Sequence, residues 1–401
     1  MLDAISEENI LRVPEDFPVG HAFSAPPGLL RVQRELPLCP VRTPHGHRMW
    51  LVTRHADVRA VLTDPRLTRQ LAFPGAPRLA GEDVTSLADS LFNLEGPRHT
   101  VLRKVLSASF NRGTVEWWAA QWRRAAAEAV KMLRLSMTSA DLVTAFVDPV
   151  VADVAASLLG LSRDDFLRVR ENVRWQTALT VGSGPVGRAT ANLVEFASSL
   201  LTQSDGREQH LPVTALSAAY HDKVITRREA VATTTLLLLT ATDSLVTPLA
   251  TGLLALLTHQ DQLGRLLREE TPWAHAVEEV LRFYNNGPTN YPRLARADVS
   301  LTEGTIRSGE AVITSTLAAG WDPRLFPVPD RFDIHRRNGA SLVFGAGPHR
   351  CPAAAFSRSM LAHFSSAAFT GLPGLRLGAM PAPKDSGNFF TRPTVLLAEW
   401  S

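Results

Sequence analysis

Phe344-Gly345-Ala346-Gly347-Pro348-His349-Arg350-Cys351-Pro352-Ala353 is the stretch that decides how this 401-residue chain is read. Two glycines and a proline lie close together and predict a tight bend. The bend presents one cysteine just ahead of a helix-like run from Ala354 to Phe369. A cysteine at a helix N-terminus, beside His349 and Arg350, is expected to be held as thiolate by the helix dipole and by positive charge. Thiolate is the form that ligates a metal or attacks an electrophile. A lone cysteine in a turn is more often a small buried hydrophobe, so its company has to decide.

Upstream, Glu279-Val280-Leu281-Arg282 places an acid and an arginine three apart on one helical face, where they can pair. Such pairs are mostly solvated and weak, but here the flanking residues are apolar. Arg331, in Asp330-Arg331-Phe332-Asp333, offers a second guanidinium ahead of the cysteine loop. Apolar residues recur three and four apart in 58–62, 117–133, 147–161, 166–179, 193–201 and 228–257, which predicts helices. Strands are few: 41–43 and 47–53 read as a hairpin across Pro44 and Gly46, and 293–301, 311–315 and 393–400 as further strands. The stretches 66–98 and 321–349 lack strong periodicity, and loops of that length in a compact domain are usually functional.

Composition bounds the answer. The chain is 45% hydrophobic and 20% charged, as an ordinary globular protein is, and its formal charge of +3 gives no basic tail that would suggest nucleic acid. Cys39 and Cys351 are the only cysteines, too few for a disulfide framework, so a reducing cytoplasm is the simplest compartment. The segment Met1 to Pro14 has no apolar core of a signal peptide, and the apolar runs near Leu236 and Leu253 are interrupted by Asp243 and threonines, so no membrane span is expected. A cysteine hydrolase would need a base near Cys351 and a residue orienting that base; His349 is close, but no third residue is evident.

Together these residues resemble the cytochrome P450 family of haem-thiolate enzymes. The pattern F-G-x-G-x-H-x-C at Phe344 to Cys351, E-x-x-R at Glu279 to Arg282, and a long helix earlier stand in the family's order. The resemblance runs from Trp50-Leu51-Val52-Thr53-Arg54-His55 to the terminal strands. It implies a mainly α fold with a small β region and one haem domain over residues 1–401, with β-rich parts at about 37–53, 289–316 and 376–401 and helical parts at about 98–284 and 352–369. It implies haem b with Cys351 as axial thiolate, the ligand that favours O–O cleavage. O2 is the implied oxidant, and a separate ferredoxin and ferredoxin reductase are implied to bring electrons from NAD(P)H to a monomeric enzyme with a small-molecule substrate. Arg350, Arg103, Lys104 and Arg112 are candidates for a cationic docking face.

The carry-over extends to single residues. Phe344 is implied to pack near the sulfur, with Gly345 and Gly347 letting backbone amides approach it. His99 and Arg103, four apart on one helical face, together with Arg293 and His349, match the family's propionate-binding positions. Glu279, Arg282 and Arg331 match its buried acid–arginine triad. Asp243 and Ser244 fall on the acid and alcohol positions that relay protons during oxygen activation. Three departures mark that helix: Ala241 for glycine, Ser244 for threonine and Leu245 for a second alcohol. Pro248 cannot bond the Ser244 carbonyl and is expected to help open the helix. Ala353 stands where many relatives have glycine, and Gly320-Trp321 replaces an Asn-Arg pair.

Candidate substrate contacts are Phe73, Leu91, Trp175, Thr177, Leu239, Thr242, Pro288, Thr289, Asn290, Phe389 and Phe390, a mix of aromatic and small polar groups suited to a flat aromatic ligand. Gly75 to Leu79 (G-A-P-R-L), with the altered helix, is similar to family members that oxidise cyclic dipeptides (diketopiperazines), some by radical C–C or C–N coupling. A conventional hydroxylase or epoxidase of a macrolide, terpenoid or peptide stays open beside it. A haem sensor or electron carrier is the rival outside enzymology, and it would need neither the acid–alcohol pair nor long distal loops.

Overall fold

The apolar run Met49-Trp50-Leu51-Val52 forms the middle of the larger sheet. This computed structural model describes residues 10–18, 20, 24–79, 84–179, 183–203, 210–284, 287, 289–336, 339–382 and 389–401. The chain opens with β1 (Leu11–Arg12), α1 (Pro27–Glu35), β2 (Leu38–Arg42), β3 (Arg48–Val52), α2 (His55–Thr63) and β4 (Leu67–Thr68). β2 and β3 form the expected hairpin, Leu38 opposite Val52 and Arg42 opposite Arg48. Gly46 takes φ +85° in its turn, which a side chain would resist.

The helical part follows: α3 (Gly96–Ser107), α4 (Arg112–Ser136), β5 (Ser139–Asp141), α5 (Asp148–Leu159), α6 (Arg163–Thr177), α7 (Ser183–Thr202), α8 (Pro212–His221), α9 (Arg227–Thr240), α10 (Asp243–Thr258), α11 (Gln260–Leu267) and α12 (Trp273–Phe283). Local sequence sets the starts. Asn111 caps α4 through the Thr114 amide, Ser162 caps α6 through the Asp165 amide, and Thr226 with Glu229 forms a reciprocal capping box on α9.

The chain then returns to the sheet through β6 (Arg293–Ala295), β7 (Val299–Leu301), β8 (Gly304–Ile306) and β9 (Ala311–Thr314), and ends with α13 (Thr316–Gly320), α14 (Ala354–Gly371), β10 (Arg376–Leu377) and β11 (Leu397–Glu399). β9 runs parallel to β3 and antiparallel to β6, giving the order β1-β2-β3-β9-β6-β4; β10-β11-β5 and β7-β8 are separate small sheets. Two expectations are corrected. The single strand 293–301 is two, because the Arg296 amide turns aside to the Arg66 carbonyl. The single helix 228–257 is α9 and α10, interrupted at Ala241-Thr242.

α14 lies at the centre of the main core. Phe356, Met360, Phe364 and Ala368 pack with Trp118, Trp122, Ala126 and Val130 of α4, all buried. Each large side chain so buried contributes about 1.5–3 kcal/mol. The two helices meet so closely that a Cβ on Gly371 would fall 2.4 Å from Val130 Cγ1. α9 and α10 together are long and apolar enough to cross a membrane, but 89% of that window is buried inside the fold.

Candidate functional site

The cysteine stretch folds into a tight loop just before α14. The Cys351 amide donates to the Phe344 carbonyl and the Gly345 amide to the Leu342 carbonyl, both at 2.8 Å. Gly345 and Gly347 adopt φ of +73° and +68°, and a Cβ on Gly347 would meet the Leu62 carbonyl oxygen at 3.1 Å. The Phe344 ring lies 4.4 Å below the Arg358 guanidinium, which pairs with Glu278 on α12. The loop is thereby fastened to both α2 and α12.

Cys351 opens onto a cavity of about 350 Å³ and receives a hydrogen bond from the Ala353 amide. Burial pushes its thiol pKa up, while that amide and Arg103, Arg350 and Arg358 pull the other way without prevailing. The Ala353 amide and the neighbouring cations favour the thiolate and desolvation opposes it, and a metal on the sulfur would add to the first.

Basic side chains gather at one edge of the cavity. His99 and Arg103 lie on α3, Arg293 on β6 and His349 in the cysteine loop; the two imidazole rings are 4.6 Å apart. Arg103 donates to the Arg350 carbonyl, and Arg293 to the carbonyls of Leu67 and Leu62 at 3.1 and 3.3 Å. Burial, reinforced by Arg69, Arg293, His99 and Arg103, pushes His349 down to about 2. Burial lowers His99 as well, and brings Arg293 to about 10. Arg69, which the sequence reading does not single out, joins this edge.

Glu279 and Arg282 form a bidentate pair at 2.7 and 2.8 Å with both side chains fully buried. Arg282 also donates to the carbonyls of Gly320, Pro329 and Arg331, which ties α12 to the segment leading to the cysteine loop. The third member of the triad is corrected. The Arg331 side chain is exposed and contributes only its carbonyl, whereas Arg336 reaches Glu279 at 3.4 Å. The Asp333 amide donates to Glu279 Oε1 at 2.9 Å, and that anchor turns the side chain three residues further on toward the carboxylate. Gly320 is required here, since a Cβ would lie 2.8 Å from the Arg282 carbonyl oxygen. Trp321 packs on Phe283 and donates to its carbonyl at 3.1 Å.

Leu237, Thr240, Ala241, Ser244, Leu245 and Pro248, from the end of α9 across the break into α10, line the cavity together with Cys351. The break between α9 and α10 has Thr242 at φ −114° and ψ −104°. It lies ahead of Pro248, and Ser244 Oγ donates across it to the Thr240 carbonyl. Asp243 is not on the cavity wall; its carboxylate faces Arg392 at 3.7 Å.

Of the candidate substrate contacts, Leu91, Thr289, Asn290, Phe389 and Phe390 line the cavity. Phe73 and Trp175 are exposed, Leu239 and Thr242 lie buried on the other side of the helix, and Thr177 bonds the Phe389 amide through its carbonyl. Pro288 lies outside the described residues. Missed by sequence were Phe92 and Tyr291. Phe92 meets Tyr291 edge to face at 5.3 Å, Tyr291 stacks on Phe389 at 4.9 Å, and Phe389 meets Phe390 at 5.2 Å, a continuous aromatic wall. Helical periodicity in 237–248 would have found Leu237, Thr240 and Ala241; the loop aromatics carry no such signal.

These residues fit a haem. One sulfur faces a cavity whose edge holds cations, and two of their nitrogens, His99 Nε2 and Arg69 Nε, are buried without a hydrogen-bond partner. Orphaned donors at a cationic edge suit the carboxylates of a macrocycle.

The family model described as Cytochrome P450 matches residues 273–368. The chain is 31% identical over 385 residues to Nocardicin C N-oxygenase of Nocardia uniformis subsp. tsuyamanensis, covering 94% of this chain and 96% of that one. It is 31% identical over 354 residues to Mycinamicin IV hydroxylase/epoxidase of Micromonospora griseorubida, covering 86% and 88%. Among solved structures it is similar to the LnmA cytochrome P450 hydroxylase from the leinamycin biosynthetic pathway of Streptomyces atroolivaceus S-140, with a TM-score of 0.85, 29% identity, and coverage of 98% of this chain and 100% of that one. The chain belongs to the cytochrome P450 family. It is an oxidoreductase with the family's mainly α fold, and the family's chemistry uses haem-thiolate and O2.

Proposed function

We propose that this chain is a P450 of bacterial natural-product tailoring, a single haem domain acting in the cytoplasm on an aromatic small molecule. The observation that carries the reading is the cavity: Cys351 on one side, the opened Ser244 face on the other, guanidinium groups at the edge and an aromatic wall above. Bound haem would supply oxygen activation. Cys351 would hold the metal, His99, Arg103, Arg293 and His349 would hold the propionates, and the Phe344 loop would exclude water from the sulfur. Ser244 presents a hydroxyl to the cavity, and Asp243 behind it, oriented by the permanently charged Arg392, would pass protons from solvent toward that hydroxyl. Phe92, Tyr291, Phe389 and Phe390 orient a planar ring system by edge and face contacts.

Phe389 and Phe390 support a substrate with two aromatic rings, so an aromatic cyclic dipeptide joined by radical coupling is the finer reading. Oxygen insertion is the second reading, favoured by relatives named as an oxygenase and as a hydroxylase/epoxidase. Electrons come from a ferredoxin and its reductase. The docking face centres on Arg350 and Lys104, both exposed; Arg103 is occupied with the Arg350 carbonyl and Arg112 with Glu116. Neutralising Arg350 and Lys104 is expected to slow reduction and flatten its salt dependence; unchanged rates at every ionic strength would remove this docking face.

The deciding experiment is the reduced, carbon monoxide difference spectrum of the purified protein. A Soret band at the long wavelength of thiolate-ligated haem, lost in Cys351→Ser, is expected. A histidine-type spectrum that survives Cys351→Ser overturns the reading. Aromatic cyclic dipeptides are then tested for a spin-state shift, and their failure beside a positive response to another aromatic compound removes the finer assignment.

A further inference from the structure

Arg69 sits just after β4, in the long loop that sequence periodicity leaves unexplained. Its side chain is buried, lines the cavity, and stacks its guanidinium 4.1 Å above the Phe92 ring. Nε has no hydrogen-bond partner. Glu95, the acid nearby, is engaged: Oε1 accepts from the Arg69 backbone amide at 2.8 Å and from Thr68 Oγ1 at 2.9 Å, and Oε2 faces Arg296 at 3.2 Å. Arg69 is therefore a buried guanidinium stacked on an aromatic face, with Nε unpaired and Glu95 and Tyr291 acting on it only through their fields. An uncompensated buried charge is strongly destabilising, and a ring quadrupole offsets only part of that. Burial and the neighbouring Arg293 push its pKa well down, as expected where an anion belongs.

The surrounding charges say which anion. Arg103 donates to the Arg350 carbonyl and lies in the field of Cys351, so its charge is shared between the sulfur and the propionate edge. Arg293, which keeps further N–H groups beyond its bonds to the Leu67 and Leu62 carbonyls, and Arg69 line the cavity together, where the carboxylates of a haem would be met. Guanidinium charge is permanent and matches a carboxylate in shape. We propose that Arg69 binds a haem propionate, forming with Arg293 the guanidinium pair that neutralises the two carboxylates, so that His99 and His349 serve as hydrogen-bonding partners. This rests on the haem-thiolate reading above. The other source of the same chemistry is a carboxylate on the substrate.

The test compares wild-type holoenzyme with Arg69→Gln and Arg69→Lys. Haem transfer to excess apomyoglobin is expected to be about tenfold faster in Arg69→Gln and largely restored in Arg69→Lys. The reduction potential should fall in Arg69→Gln, because losing a cation near the ring favours the more positive oxidised iron. If Arg69→Gln does not accumulate as folded protein while Arg69→Lys retains haem like wild type, the need for a cation stands. Spectral titration with phenylacetate and phenylacetamide should give the same affinities in all three proteins. Unchanged haem release and potential, with only phenylacetate binding weakened, would move the carboxylate to the substrate and overturn the assignment. No change in any of these would overturn Arg69 as an anion site. A wild-type protein without the thiolate-type spectrum would instead be a failure of the underlying reading.

Discussion

Arg392, on the segment that carries Phe389 and Phe390, lies 3.7 Å from the carboxylate of Asp243, the first residue of α10. The separation is too long for a hydrogen bond but places a largely buried cation against the acid. The pair holds Asp243 away from the cavity wall, on which Ser244 stands. If Asp243 relays protons, Asp243→Asn should slow NADH-driven turnover with a surrogate ferredoxin about a hundredfold. Arg392→Gln should cause a smaller loss with a changed solvent deuterium isotope effect, and the double variant should be no slower than Asp243→Asn. Additive losses in the double variant would show that the two residues act separately.

The corrected triad makes a sharper prediction about stability. Arg282→Ala strands the Glu279 carboxylate in the core, which costs about 3–5 kcal/mol. Arg336→Ala removes a partner of Glu279 and donors to the carbonyls of Pro327 and Val328, and a loss of about 1–3 kcal/mol is expected. Arg331→Ala removes an exposed side chain and should change stability by less than about 0.5 kcal/mol. Denaturant unfolding of the three variants checks the order, and an Arg331 loss as large as that of Arg336 would return Arg331 to the triad.

Much of the site was legible because its parts are local. The bend at Gly345 and Gly347, the spacing of Glu279 and Arg282, and the spacing of His99 and Arg103 are set by residues a few positions apart, and the structure places each as a turn or a helix face. What sequence did not show depends on long-range packing. Arg336 displaces Arg331 because of an amide anchored at Asp333, and Arg69, Phe92 and Tyr291 meet only when two loops fold over the cavity. Pro248 is expected to help open the helix at the oxygen site, and the break falls at Ala241-Thr242, just ahead of Ser244; a missing donor predicts weakness in a helix but not the residue at which the backbone turns. The burial of Cys351 is invisible for a related reason: charge neighbours can be read in sequence, whereas desolvation cannot.

Glu229 links the two halves of the cavity, pairing with Arg98 on α3 while its carboxylate receives the Thr226 amide at the start of α9. Burial alone would raise its pKa, but Arg98 and Thr226 outweigh burial and hold the carboxyl below its ordinary value of 4.5. The sign follows: this stabilisation is fully present above that unfolded value and is lost as pH falls through the lower folded one, because the unfolded chain takes up the proton first. Arg98 adjoins His99, so losing the pair loosens the helix that carries the propionate-side residues. Glu229→Gln keeps the reciprocal cap but removes the charge. Wild type should therefore lose more unfolding free energy than Glu229→Gln between about pH 5.5 and about pH 3, with the two converging at the acid end. Equal losses in urea unfolding would mean that the Arg98 pair contributes nothing to holding α3 on α9.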